Sequence, residues 1–154
     1  MTLLPGWHPV VVHFPLALVL TSAAALCLAR VLRQQGLAAT LATVGTWNLC
    51  LGTLGALLAL GTGLAAVIDL HPGPAARQAV SLHLKWAVVT SLGLLILAVW
   101  RGAGKPQDSR PSRLFLVLLC AACAALIMTG YRGGQNVYRY GIGVMNDSSS
   151  RPGI

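Results

Sequence analysis

Trp7–Leu20 reads WHPVVVHFPLALVL, two histidines and two prolines at the mouth of an apolar run that meets its first charge at Arg30. About twenty apolar residues cover the roughly 30 Å of a bilayer's hydrocarbon, so the run predicts a transmembrane helix over about Val10–Leu32. Pro9 suits a first helical turn, where a missing N–H does no harm. Pro15 does not: inside an established helix it removes a hydrogen bond and crowds the Val11 carbonyl. The helix is therefore expected to begin near Phe14 or to kink between His13 and Leu16. Either outcome leaves irregular backbone at the membrane edge, which is tolerated where it is buried in protein or lines a cavity.

Three further apolar stretches follow, at about Leu37–Ile68, Ala79–Trp100 and Leu114–Gly130. The second exceeds the length of one span, and its Gly45, Gly52, Gly55, Gly61 and Gly63 predict a closely packed face. The expected fold is all-α: an integral membrane four-helix bundle over residues 1–144, with a polar tail at 145–154. The composition agrees. Of 154 residues 56% are hydrophobic and 9% charged, where a soluble domain carries about a quarter charged.

The net charge of +8 sits mainly in the connections, where it suits anionic headgroups and gives no nucleic-acid signal. Arg30, Arg33, Arg101, Lys105, Arg110 and Arg113 gather at one end. Arg77, Lys85, Arg132, Arg139 and Arg151 belong to the other. Discounting Lys85, inside a span, and Arg151, far from any, the positive-inside rule places both termini on the outer, periplasmic side of a bacterial inner membrane. MTLLPGW lacks the basic start of a cleavable signal peptide, so the first helix is expected to insert as its own signal. Cys27, Cys50, Cys120 and Cys123 all fall in apolar segments. Cys120–Cys123 lies among alanines and reads as small packing residues, with neither a zinc site nor a structural disulfide expected.

The polar residues converge on the outer end. His8, Asp69 and His71 fall at its boundary, and His13 and His83 about one helical turn below it. Such residues are costly in a bilayer, normally face the bundle interior, and are candidates for function. Five residues of helix separate His8 from His13 by about 140°, so the two do not share one small ion. His13, deeper and flanked by apolar residues, is the expected interior ligand, opposite His83. Two imidazoles on different helices can supply both axial ligands of a haem b, with Met128 as a substitute. In the tail, Gly133 and Gly134 are read as bringing backbone N–H groups to an anion, with Arg132 and Arg139 supplying charge, as haem propionates require. Trp7, Phe14, Trp86, Tyr131, Tyr138 and Tyr140 are candidates to wall the macrocycle.

The same residues have plain structural readings. An interfacial histidine can be a hydrogen-bonded packing residue, and boundary Tyr and Trp serve as membrane anchors. Arg132 and Arg139 can touch headgroups, Lys85 can snorkel, and Asp69 can cap the third helix or pair with Lys85 or Arg77. A non-haem metal, quinone or proton site also stays open.

His8-Pro9-Val10-Val11-Val12-His13-Phe14-Pro15, Thr62-Gly63 through Asp69, His83, Gly133-Gly134, Val137-Tyr138 and Gly141 through Val144 together resemble a family of small bacterial membrane proteins known by a domain of unknown function. The resemblance spans nearly the whole chain. It implies four helices opening on His-Pro-x-x-x-His-Phe-Pro. Relatives often carry His where this chain has Tyr140. Some are joined to cytochrome c or Rieske-type domains, which implies a redox setting at the outer face.

The reading favoured is a b-type cytochrome-like subunit that passes electrons between quinol, or a membrane redox complex, and a soluble carrier such as a periplasmic cytochrome c. An integral subunit that anchors a larger respiratory complex is the alternative, and a homo-oligomer is compatible with both. A proton- or metal-coupled permease is weaker, since the polar groups crowd one boundary and no repeat is evident. No nucleophile–base–acid set marks a hydrolase.

Overall fold

The computed structural model describes residues 4–68, 73–104 and 110–142. Five helices, α1 Leu4–Val11, α2 His13–Val31, α3 Gln35–Ile68, α4 Pro74–Ala103 and α5 Arg113–Tyr140, account for nearly all of them. Four stretches are long and apolar enough to cross a membrane: His8–Val31, Gln35–Val67, Pro74–Ala103 and Arg113–Tyr140. The four-helix, all-α membrane fold is therefore as expected.

Pro15 acts on the chain as its chemistry requires. Helix is present on both sides of it, and the interruption falls at Val12, one residue before the expected kink. Val12 keeps α-like angles (φ −63°, ψ −21°), and its N–H still reaches the His8 carbonyl at 3.2 Å. The result is a small bend, with α1 continuing into α2.

In sequence order α2, α3, α4 and α5 pack side by side, and α5 closes on α2. No α2–α4 or α3–α5 contact forms across the ring, so α2 stands diagonal to α4. The short α1 extends the first span and leans on α3. The core is a column of small and aliphatic side chains, with Val19, Leu26, Leu49, Leu94 and Leu119 fully buried. At its end near Arg101, Trp100 meets Phe115 edge to face at 5.6 Å, and the Arg101 Nε donates to Thr46 Oγ1 at 3.1 Å.

The α2–α3 seam shows why the second span carries glycine. A Cβ on Gly45 would come to 2.7 Å from Leu26 Cγ, one on Gly52 to 2.8 Å from Val19 Cγ2, and one on Gly55 to 3.2 Å from Pro15 Cδ. The helices approach so closely that the Ser22 hydroxyl donates across the seam to the Gly45 carbonyl at 2.6 Å. Gly61, by contrast, looks into open space. Cys123 is a buried core residue, its Sγ 3.9 Å from the Val19 carbonyl.

One expectation is overturned. Residues 131–140 are not a tail beyond the last span but the final turns of α5. Ser112 Oγ caps its start by accepting the Phe115 N–H at 3.1 Å. It stops only at Gly141, in the left-handed conformation (φ 65°) that glycine reaches without strain. Gly133 and Gly134 each cost a helix about 1 kcal/mol relative to alanine, so packing must hold this stretch helical.

Gly52→Val should lower stability by about 1–3 kcal/mol, because Val19 has nowhere to move. Gly61→Val should leave it unchanged or slightly raised. Reversible unfolding in mixed detergent micelles compares the two.

Candidate functional site: two imidazoles on glycine

In a helix the carbonyl of one residue accepts the N–H of the residue four positions later. When that later residue is glycine, no Cβ shields the carbonyl, and a side chain from a neighbouring helix can reach the same oxygen. Both interior histidines use this opening.

His8, half-buried on α1, places Nδ1 3.1 Å from the Ala59 carbonyl of α3 and 3.1 Å from Thr62 Oγ1. Four residues beyond Ala59 is Gly63, where an added Cβ would lie 3.0 Å from His8 Cε1. The Thr62 hydroxyl itself donates to the Ala59 oxygen at 3.0 Å. His83, half-buried on α4, places Nδ1 3.1 Å from the Thr129 carbonyl of α5. Four residues beyond Thr129 is Gly133, where an added Cβ would lie 3.1 Å from His83 Cε1. Thr129 is held in turn by a 3.2 Å hydroxyl–hydroxyl bond to Thr90.

A carbonyl can only accept, so each Nδ1 carries the hydrogen. In a neutral imidazole the lone pair then lies on Nε2. Neither Nε2 has a hydrogen-bond partner among the described residues. The two rings come from different helix pairs, His8 between α1 and α3 and His83 between α4 and α5. A histidine whose Nδ1–H is fixed by a carbonyl and whose Nε2 is free has the form of a metal-binding imidazole.

The expected pairing of His13 with His83 does not form. His13 is exposed at the start of α2, with its Nδ1 donating to the Pro9 carbonyl at 2.7 Å. The bend at Val12 leaves His8, not His13, turned inward against α3. Gly133 and Gly134 make no anion nest, because their N–H groups belong to the α5 helix. Gly133 serves the ring of His83, and a Cβ added at Gly134 would meet nothing within 4 Å.

Arg132 lies half-buried on the interior face of α5. Its Nε is sealed from solvent and without a hydrogen-bond partner. Arg139 is exposed, as are Met128, Phe14, Tyr131 and Tyr140, while Tyr138 is 93% exposed. These aromatics lie on the surface of the bundle and suit the membrane boundary. Trp86 is half-buried. His71 and Asp69 lie outside the described residues, as does the side chain of Trp7. Among the described residues no three His, Cys, Asp or Glu gather as a metal cluster. A pair of axial imidazoles needs no third ligand.

Residues 5–146 match the family described as predicted membrane protein (DUF2231). The chain belongs to that family. No curated protein and no solved structure matches it. The DUF2231 match includes both histidines and both glycines beneath them. The sequence singles out all four without joining them. The signal that joins them is the four-residue interval from a carbonyl to a glycine on the neighbouring span.

Gly63→Val and Gly133→Val should each displace one ring and break its Nδ1 bond, whereas Gly134→Val should not. Nitrogen NMR of histidine-labelled protein in micelles reads this directly, as loss of one hydrogen-bonded Nδ1–H signal per variant.

Proposed function

We propose that this DUF2231 protein is a b-type cytochrome-like subunit, in which His8 and His83 would hold one haem near the outer end of the bundle. The observation that carries this reading is the recurrence of one arrangement in both helix pairs: an Nδ1–H fixed on a carbonyl, a glycine under the ring, and Nε2 left free. A single histidine so placed is an ordinary packing residue. Two, one in each helix pair, are what two axial positions need.

A haem bound there would supply one-electron chemistry. The chain's own part is to hold two neutral imidazoles in a fixed tautomer, to exclude water with the apolar walls of four helices, and to keep the site near one membrane boundary. The carbonyl bonds favour a hydrogen on Nδ1 and so raise the donor strength of Nε2. With both termini outside the cytoplasm, as the basic residues indicate, the site lies at the periplasmic face of a bacterial inner membrane. There it would take electrons from quinol or a membrane redox complex and pass them to a soluble carrier such as cytochrome c. The described residues of the opposite end include no histidine, which favours transfer at one face over transfer across the bilayer.

Protein purified after expression with ample haem should show a Soret band and, on dithionite reduction, sharp α and β bands. His8→Ala and His83→Ala should each abolish the low-spin spectrum, while His13→Ala should retain it. Wild-type protein that stays colourless while co-purifying with stoichiometric membrane partners would instead identify an anchoring subunit. A spectrum lost with His13→Ala and kept with His8→Ala would refute the pairing.

A further inference from the structure

Asn48 stands at the outer edge of the α2–α3 seam, half-buried beside the exposed Thr21. Its Nδ2 donates to Thr21 Oγ1 at 3.2 Å. The Thr21 hydroxyl hydrogen is already directed to its own helix, with the Ala17 and Leu18 carbonyls at 2.8 and 3.1 Å. Asn48 makes no other side-chain hydrogen bond among the described residues. Its carbonyl oxygen and second amide hydrogen therefore have no partner there. Between Gly36 and Ile68 no other Asn, Gln or charged residue occurs.

Depth makes this arrangement costly. Thr21 lies about 12 Å along α2 from His13 and about 15 Å from Val31, so the pair stands near the centre of a hydrocarbon layer of roughly 30 Å. No water is present at that level to meet an open amide. The threonines of α3 avoid the cost by bonding their own backbone, as Thr40, Thr43 and Thr46 do. A carboxamide has two donor hydrogens and an acceptor, too many for Thr21 alone to satisfy. On the same edge Ala17 and Ala24 of α2 are exposed, and side chains that short let another helix come close.

A second copy of the chain in the same membrane stands in the same orientation. A twofold axis along the bilayer normal sets every residue at the depth of its own counterpart. Asn48 then meets another Asn48, a polar group certain to lie at its level. A carboxamide carries donor and acceptor side by side, so two of them are mutually complementary. We infer that the outer edge of the α2–α3 seam is the contact between two copies of this chain, joined by a reciprocal pair of Asn48 carboxamide hydrogen bonds, with Thr21 holding each amide in place. The inference does not draw on the proposed haem site.

The test is energy transfer between donor- and acceptor-labelled copies in phosphatidylcholine vesicles, followed as the protein is diluted with lipid. Wild-type protein should dimerise. Asn48→Leu should weaken the dimer about ten- to thirtyfold, the range of two interhelical hydrogen bonds, with its helical circular dichroism unchanged. Asn48→Gln should keep part of the affinity. Thr43→Val, which removes a hydroxyl bonded only to its own helix, should keep all of it. Because the bond is reciprocal, wild type mixed with Asn48→Leu should pair as weakly as the variant does with itself. Wild-type protein that stays monomeric at every dilution overturns the inference, as does a dimer indifferent to Asn48→Leu or an assembly larger than two. A mixed pair of intermediate strength overturns it by giving each amide a different partner. Loss of helicity in Asn48→Leu marks a role within the single chain and overturns it too.

Discussion

A polar hydrogen inside hydrocarbon has no water to fall back on, and the bundle meets that constraint by sharing backbone carbonyls. The Ala59 and Thr129 oxygens each serve a helical N–H and an imidazole N–H together. Sharing demands that the edge of the ring come close against the neighbouring backbone, and the glycine four residues along leaves that space. One small contact thus fixes helix spacing, histidine tautomer and the free edge of the ring. The polar group that would burden a packing residue becomes, once satisfied on one side, a directed donor on the other.

The rest of the architecture brings those contacts about. Pro15 bends the first span at Val12, which lets α1 lean on α3 and carry His8 to Gly63. Below it, Gly45, Gly52 and Gly55 draw α2 against α3, so the ends of the two helices near His8 are held together. On the other side α5 must run past the apolar stretch to Tyr140 for Thr129 and Gly133 to meet His83. The glycine pair that weakens this helix is retained because one of its members receives a ring. Helical propensity loses here to tertiary packing.

Two hairpins, α1/α2 with α3 and α4 with α5, repeat the same device, with one histidine in each. The repeat is one of contacts rather than of residues: His8 and His83 sit in unlike sequence contexts, and their supporting carbonyls belong to alanine and threonine.

Hydropathy and the scarcity of charge determined, by themselves, that this chain is a four-helix membrane protein, because a bilayer admits few other solutions to twenty-residue apolar runs. Pro15 likewise announced a bend, since its chemistry is local. Which histidine faces inward could not be read this way: flanking apolar residues favoured His13, but the direction of α1 depends on a bend of one residue and on what α3 offers beneath it. The helicity of residues 131–140 was hidden for a similar reason, as the gain that offsets Gly133 comes from His83, on a different helix. Composition and periodicity are sums over neighbours in the chain and so decide what crosses the membrane. The pairing of His8 with Gly63 and of His83 with Gly133 is a relation between helices, and only their packing decides it.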